Sequence, residues 1–119
     1  MAYTLDVKDK CVLITGASSG LGAHFAELLA SAGARVVLAA RRQEQIDGLC
    51  AQIKQQGGQA FAVVMDVCDE TSIKSAVQRI ESEFAPIDVL VNNAGIALTK
   101  SFLDTNNDEW RRLLDTNLV

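Results

Sequence analysis

The sequence predicts an α/β domain in which a parallel sheet is wound with helices on both faces. Three observations carry that reading. Four short, continuously apolar runs, at residues 11–14, 35–39, 60–65 and 89–91, alternate with segments of helix length. Strands that are apolar on both sides belong to a parallel sheet covered on both faces. The first run leads directly into Thr15-Gly16-Ala17-Ser18-Ser19-Gly20-Leu21-Gly22, a glycine turn that opens a helix. Right-handed crossovers leave few topologies, and the strand order expected is 3-2-1-4. The ligand crevice then falls at the carboxyl ends of strands one and four, where the winding reverses.

Taken in order, the run at 11–14 is the first strand. The helix after the turn is expected to bury Leu21, Phe25, Leu28, Leu29 and Ala32, with Gly33 as its C-terminal cap. A second strand at 35–39 follows. Ile46, Leu49, Cys50 and Ile53 then recur at i, i+3, i+4 and i+7, one face of a helix that Gly57-Gly58 stops. The third strand, 60–65, ends at Asp66. Asp69 is placed to cap a helix with an inward face of Ile73, Val77, Ile80 and Phe84, closed by Pro86. The fourth strand, 89–91, enters Asn92-Asn93-Ala94-Gly95. Asn106 with Glu109 resembles a capping box opening a last helix with Trp110, Leu113 and Leu114. No repeat or linker divides residues 1–119, which read as one domain or part of one.

The informative polar residues lie at strand ends. In the turn, Gly16 can take a conformation closed to other residues, Gly20 lets backbone approach a phosphate, and Gly22 permits tight packing. The helix N-terminus beyond presents unpaired N–H groups and a positive dipole end to an anion. Strand two ends in Ala40-Arg41-Arg42, where a carboxylate would normally hold a ribose 2′-hydroxyl. Guanidiniums instead offer paired bonds to a 2′-phosphate, to which Ser18 can add a hydroxyl. An ordinary solvated arginine pair is the alternative. Asp66 and Val67 suit an adenine pocket, although a helix-entry turn explains Asp66 as well. In Asn92-Asn93-Ala94-Gly95 the Asn side chains can tie neighbouring strand ends together, and Ala94-Gly95 leaves room for a ribose against the backbone. Asn117 falls on the packed face of the last helix, either as a structural bridge or holding a water in a proton path.

Composition excludes several classes. A formal net charge of −4, with no run of Lys and Arg, argues against a nucleic-acid surface. No stretch approaches the roughly 18 apolar residues of a membrane span, and the polar start is unlike a signal peptide. Cys11, Cys50 and Cys68 lack metal-ligand spacing and read as buried or partly buried free thiols of a reducing, cytoplasmic protein. No metal site is expected. His24 is the sole histidine, and Ser18 and Ser19 lack the strand–helix elbow of a hydrolase nucleophile.

The glycine turn, Asp66-Val67, Asn92-Asn93-Ala94-Gly95 and Asn117-Leu118 together resemble, in order and spacing, the short-chain dehydrogenase/reductase family. The resemblance implies a Rossmann-type domain and an oxidoreductase that moves hydride between NADP(H) and a carbonyl or alcohol substrate. It assigns Gly16, Ser18, Ser19, Gly20, Leu21 and Gly22 to the cofactor loop, and Asp66 and Val67 to adenine. Asn92, Ala94 and Gly95 line the crevice, Arg41 falls on the basic position of NADP-preferring members with Arg42 beside it, and Asn117 orders a catalytic water. It also implies a homo-oligomer in a full-length form. The family's Tyr-x-x-x-Lys pair is missing, since the one tyrosine, Tyr3, has Val7 four residues on. The chain therefore reads as the cofactor-binding half of such an enzyme, inactive by itself. A non-catalytic nucleotide-binding or interaction module is the main rival. An S-adenosylmethionine-dependent methyltransferase core is the lesser one, because Ala40-Arg41 replaces the acidic residue it needs.

Overall fold

In the computed structural model, residues 7–17 and 20–93 are described. They form β1 (Cys11–Thr15), α1 (Gly20–Ser31), β2 (Arg35–Ala40), α2 (Gln43–Gln55), β3 (Gln59–Val64), α3 (Glu70–Glu83) and β4 (Val89–Asn92). The four strands make one sheet in the order β3-β2-β1-β4. Every pairing is parallel, with Leu13 opposite Val37 and Leu90, and Val37 opposite Phe61. The fold is the doubly wound, Rossmann-type arrangement the sequence predicts.

Alternation along the strands sorts the core into two layers. One face carries Leu13, Val37, Val63 and Leu90 under Ile73, Val77 and Ile80 of α3. The other carries Val12, Ile14, Val36 and Leu38 under α1 and α2, which contribute Ala26, Leu29, Ile46 and Ile53. Burying each such Leu or Ile side chain contributes about 1.5–3 kcal/mol. At the outer edge of the α3 layer, Phe61 stacks on Phe84 at 5.3 Å, and the Arg79 guanidinium lies over the Phe61 ring.

The helix ends follow their local sequence. Gly33 (φ 97°) and Gly57 (φ 88°) sit in the left-handed region. Ala34 donates to the Leu29 carbonyl and Gly58 to that of Ile53, the long bonds that close a helix on a glycine. Asp69 caps α3 by accepting from the Thr71 amide at 3.0 Å.

Two expectations are corrected. The buried residues of α1 are Gly22, Ala26, Leu29 and Ala30, whereas Leu21, Phe25 and Leu28 are exposed. Small residues let the helix lie close on the sheet, and that closeness outranks the larger apolar stripe. Cys11 and Cys50 are buried free thiols, but Cys68 is exposed, in the β3–α3 connection. Burial, followed by the neighbouring Asp88 carboxylate, pushes the Cys11 thiol up to about 12. Burial also pushes the Cys50 thiol up. The expected helix from Asn106, with Trp110 and Asn117, lies outside the described residues.

Candidate nucleotide-binding site

The carboxyl ends of β1 and β4 are tied together at the glycine turn. Thr15 ends β1, and its side chain is fully buried. Its Oγ1 accepts from the Asn93 amide at 3.1 Å and faces the Val91 carbonyl at 3.4 Å. Asn93 Nδ2 in turn donates to the Gly16 carbonyl at 3.1 Å. The first carbonyl of the turn is thus held from the neighbouring strand.

The glycines have separate reasons. Gly16 (φ 63°) and Gly20 (φ 57°) both hold left-handed backbone that a side chain would strain. A Cβ on Gly20 would meet nothing within 4 Å among the described residues. A Cβ on Gly22 would meet the Gly16 carbonyl oxygen at 2.4 Å and Asn93 Nδ2 at 2.8 Å. Gly22 is therefore required by the turn itself and by Asn93, not only by helix–strand packing.

Beside the turn lies an open cleft of about 390 Å³. Gly16 borders it on the β1 side, Ala39, Ala40, Arg41 and Arg42 on the β2 side, and Met65 and Val67 on the β3 side. Gln45 reaches it from the first turn of α2. Among the described lining residues there are two guanidiniums and no carboxylate. Arg42 is the N-cap residue of α2, and its side chain makes no capping hydrogen bond. Both arginines are exposed at the cleft.

The structure thus brings Gly16, Arg41, Arg42 and Val67 to one cleft, with Gly20 and Gly22 in the turn beside it. Leu21 is 60% exposed and contributes backbone to the helix start. Asp66 does not line the cleft. Its Oδ1 accepts from the Cys68 amide at 2.9 Å, and its own amide donates to Ser72 Oγ. The helix-entry explanation of Asp66 is therefore present in the structure, with Oδ2 left over. Asn92 Oδ1 lies 3.5 Å from Thr15 Oγ1, within the tie between β1 and β4. His24 is exposed on α1. Ser18, Ser19, Ala94, Gly95 and Asn117 lie outside the described residues. No group of three or more metal-ligating side chains occurs among the described residues. No helix of the described residues is long and apolar enough to cross a membrane.

The expected tie between strand ends is made by Asn93. Two residues escape the sequence reading. Thr15 locks the turn with Asn93, and its signal is adjacency to the glycines. Gln45 borders the cleft, and its signal was position: three residues past Arg42, it shares a side of the first helical turn with the N-cap.

A parallel doubly wound sheet with a glycine turn at its winding reversal is the Rossmann-type arrangement. The chain belongs to the short-chain dehydrogenase family, whose model, described as short chain dehydrogenase, matches residues 10–119. It is 41% identical over 112 residues to cyclopentanol dehydrogenase of Comamonas sp. (strain NCIMB 9872), covering 94% of this chain and 45% of that protein. It is 36% identical over 115 residues to 2-dehydro-3-deoxy-D-gluconate 5-dehydrogenase of Formosa agariphila, covering 96% and 44%. Among solved structures, L-sorbose reductase from Gluconobacter frateurii, complexed with NADPH and L-sorbose, superposes with a TM-score of 0.70 at 35% identity, covering 77% of this chain and 36% of that one. A putative D-mannonate oxidoreductase from Haemophilus influenza with bound NAD gives 0.68 at 32% identity, covering 71% and 30%. The chain spans a little under half the length of the curated relatives it matches. Family membership removes the methyltransferase reading.

Proposed function

We propose that this chain is the NADP(H)-binding half of a short-chain dehydrogenase/reductase acting on a small carbonyl or alcohol substrate. The observation that carries the cofactor choice is the cleft at the end of β2, bordered by Arg41 and Arg42 with no described carboxylate to repel a 2′-phosphate. The cradle from Gly16 to Gly22, with Ser18 and Ser19, holds the diphosphate against backbone N–H groups and the start of α1. Val67 packs on adenine, and Asp66 Oδ2 accepts from its amino group. Asn92, Ala94 and Gly95 border the nicotinamide side, and Asn117 orders a water. The nicotinamide, when bound, supplies or accepts the hydride. A full-length form is cytoplasmic and homo-oligomeric.

The relatives named above act, by their names, on cyclopentanol, a deoxygluconate and sorbose, which supports a small alcohol or ketone as substrate. Calorimetric titration with NADPH and NADH tests the cofactor choice. The expected result is a dissociation constant about 10- to 100-fold lower for NADPH, the range of one charge-assisted contact. Equal constants would remove the NADP assignment.

A narrower reading applies to these 119 residues taken alone: they bind nucleotide and do not turn it over. The observation favouring it is the absence of any Tyr-x-x-x-Lys, Tyr3 being the one tyrosine. Positioned proton donation is typically worth about 10²- to 10⁴-fold in rate. Oxidation of NADPH by the purified chain with a panel of aldehydes and ketones would overturn this.

A further inference from the structure

We propose that Gln45 is a specificity-determining residue of the cleft, its side-chain amide donating a hydrogen bond to the ribose 2′-phosphate alongside Arg41 and Arg42. The inference rests on the NADP(H) reading and adds a residue to it.

Gln45 is the one residue of α2 among the described residues lining the cleft. Its own amide donates to the Arg42 carbonyl at 3.3 Å, which fixes it in the first turn above the N-cap. The N-cap and the third helical position lie on the same side of that turn, so the Arg42 and Gln45 side chains leave the helix together. Gln43, two residues earlier, is differently employed: its Nε2 donates to Asp47 Oδ1 at 2.6 Å on the exposed surface. The Gln45 amide has no such partner among the described residues and is exposed at the cleft mouth.

The chemistry of the amide suits the position. It supplies two N–H donors without a charge of its own, so it can complete the coordination of a phosphate that two guanidiniums already attract. A carboxylate of the same shape would reverse that contribution, because a negative charge on the wall opposes a second one in the cleft. Neutrality at residue 45 is therefore part of the discrimination, and it can be altered without touching a buried residue.

The test compares adenosine 2′,5′-bisphosphate with adenosine 5′-monophosphate, which differ only in the 2′-phosphate. Binding of each to the full 119-residue chain is measured by calorimetry for the parent, Gln45→Ala, Gln45→Glu, Gln45→Lys and Arg41→Ala. Gln45→Ala should weaken the bisphosphate about 3- to 10-fold, and Gln45→Glu about 10-fold or more. The monophosphate should stay within about twofold in both. Gln45→Lys should restore or exceed the parent's preference. If Arg41→Ala weakens the bisphosphate alone while Gln45→Ala and Gln45→Glu leave the ratio unchanged, Gln45 has no such role and the phosphate site stands. If the parent shows no preference for the bisphosphate, the phosphate site and the role of Gln45 fall together.

Discussion

At the β1–β4 end of the cleft, side chains are spent on tying the backbone together, and at the β2 end they are exposed. Thr15, Asn93 and Gly22 close around the Gly16 carbonyl, with a buried hydroxyl, a bridging amide and no room for a Cβ. Arg41, Arg42 and Gln45, by contrast, are exposed, and none makes an ion pair among the described residues. The difference teaches where each kind of specificity resides. The crowded end determines whether a phosphate cradle exists, and changes there are felt by the fold. On the proposed function, the open end sets which nucleotide is preferred, and its exposed residues Arg41, Arg42 and Gln45 can be changed with little effect on the fold.

The largest effect is expected from Gly22→Ala. Its Cβ would sit 2.4 Å from the Gly16 carbonyl oxygen, a backbone atom that cannot swing aside as a side-chain tip does. Overpacking of this kind costs about 1–3 kcal/mol. The group that must move belongs to the cradle, so nucleotide binding should be lost together with stability. A variant that binds NADPH and unfolds in urea as the parent does would show that the turn is not held this way. Gly20→Val sharpens the point. Its Cβ meets no atom of the described residues within 4 Å, yet at φ 57° a side chain costs about 1–2 kcal/mol and, on the proposed function, occupies the space of the diphosphate. Helical content should persist by circular dichroism while binding is lost.

At the open end, Ala40→Asp combined with Arg41→Ala should move the NADPH-to-NADH affinity ratio by about 10- to 100-fold toward NADH. Arg41 is exposed, so Arg41→Ala alone should change stability by no more than about 0.5 kcal/mol. Ala40 is buried in the core, and a carboxylate there should lower stability as well. A large loss of stability from Arg41→Ala alone with an unchanged ratio would erase the distinction between the two ends. Thr15→Val is the complementary change. It keeps the shape, removes the hydroxyl that accepts from the Asn93 amide, and should cost about 1–3 kcal/mol without altering the nucleotide ratio. Paired urea unfolding and calorimetry measure both quantities.

Much of this was legible in the sequence. Strands buried on both faces announce themselves as apolar runs, and the crossover rule turns four of them into one order. The glycine turn and the Ala40-Arg41-Arg42 run were legible because charge and glycine are local signals. The packed face of α1 was not. Leu21, Phe25 and Leu28 form a stronger apolar stripe than Gly22, Ala26 and Ala30, and only the closeness of helix and sheet at the turn selects the smaller residues. The same limit hid the partner of Asn93, though not its tie between strand ends. A bond from its side chain to the Gly16 carbonyl spans 77 positions and leaves no trace in spacing. Asp66 is the opposite case: the local helix-entry turn is legible in the sequence, and the structure gives one carboxylate oxygen to it.

The smallest effect separates the thiols at the two ends of the sheet. Cys68 is exposed, two residues beyond Asp66 at the cleft side, whereas Cys11 is 1% exposed at the start of β1. Iodoacetamide at neutral pH should label Cys68 in the folded chain and leave Cys11 and Cys50 unlabelled until denaturant is added, as read by mass spectrometry. The Cys11 thiol, raised from 9.0 to about 12 by burial and then by Asp88, also makes a signed prediction. Between those values the folded chain keeps a proton that the unfolded chain releases. Stability contributed by this group is therefore complete below pH 9 and declines as pH rises toward 12. Replacing the thiol by Cys11→Ala lowers stability at neutral pH through the lost packing, but it should flatten the alkaline slope of the urea midpoint relative to the parent. If the slope is the same in both, Cys11 is not the group that titrates, and the burial assigned to the far end of β1 does not hold in solution.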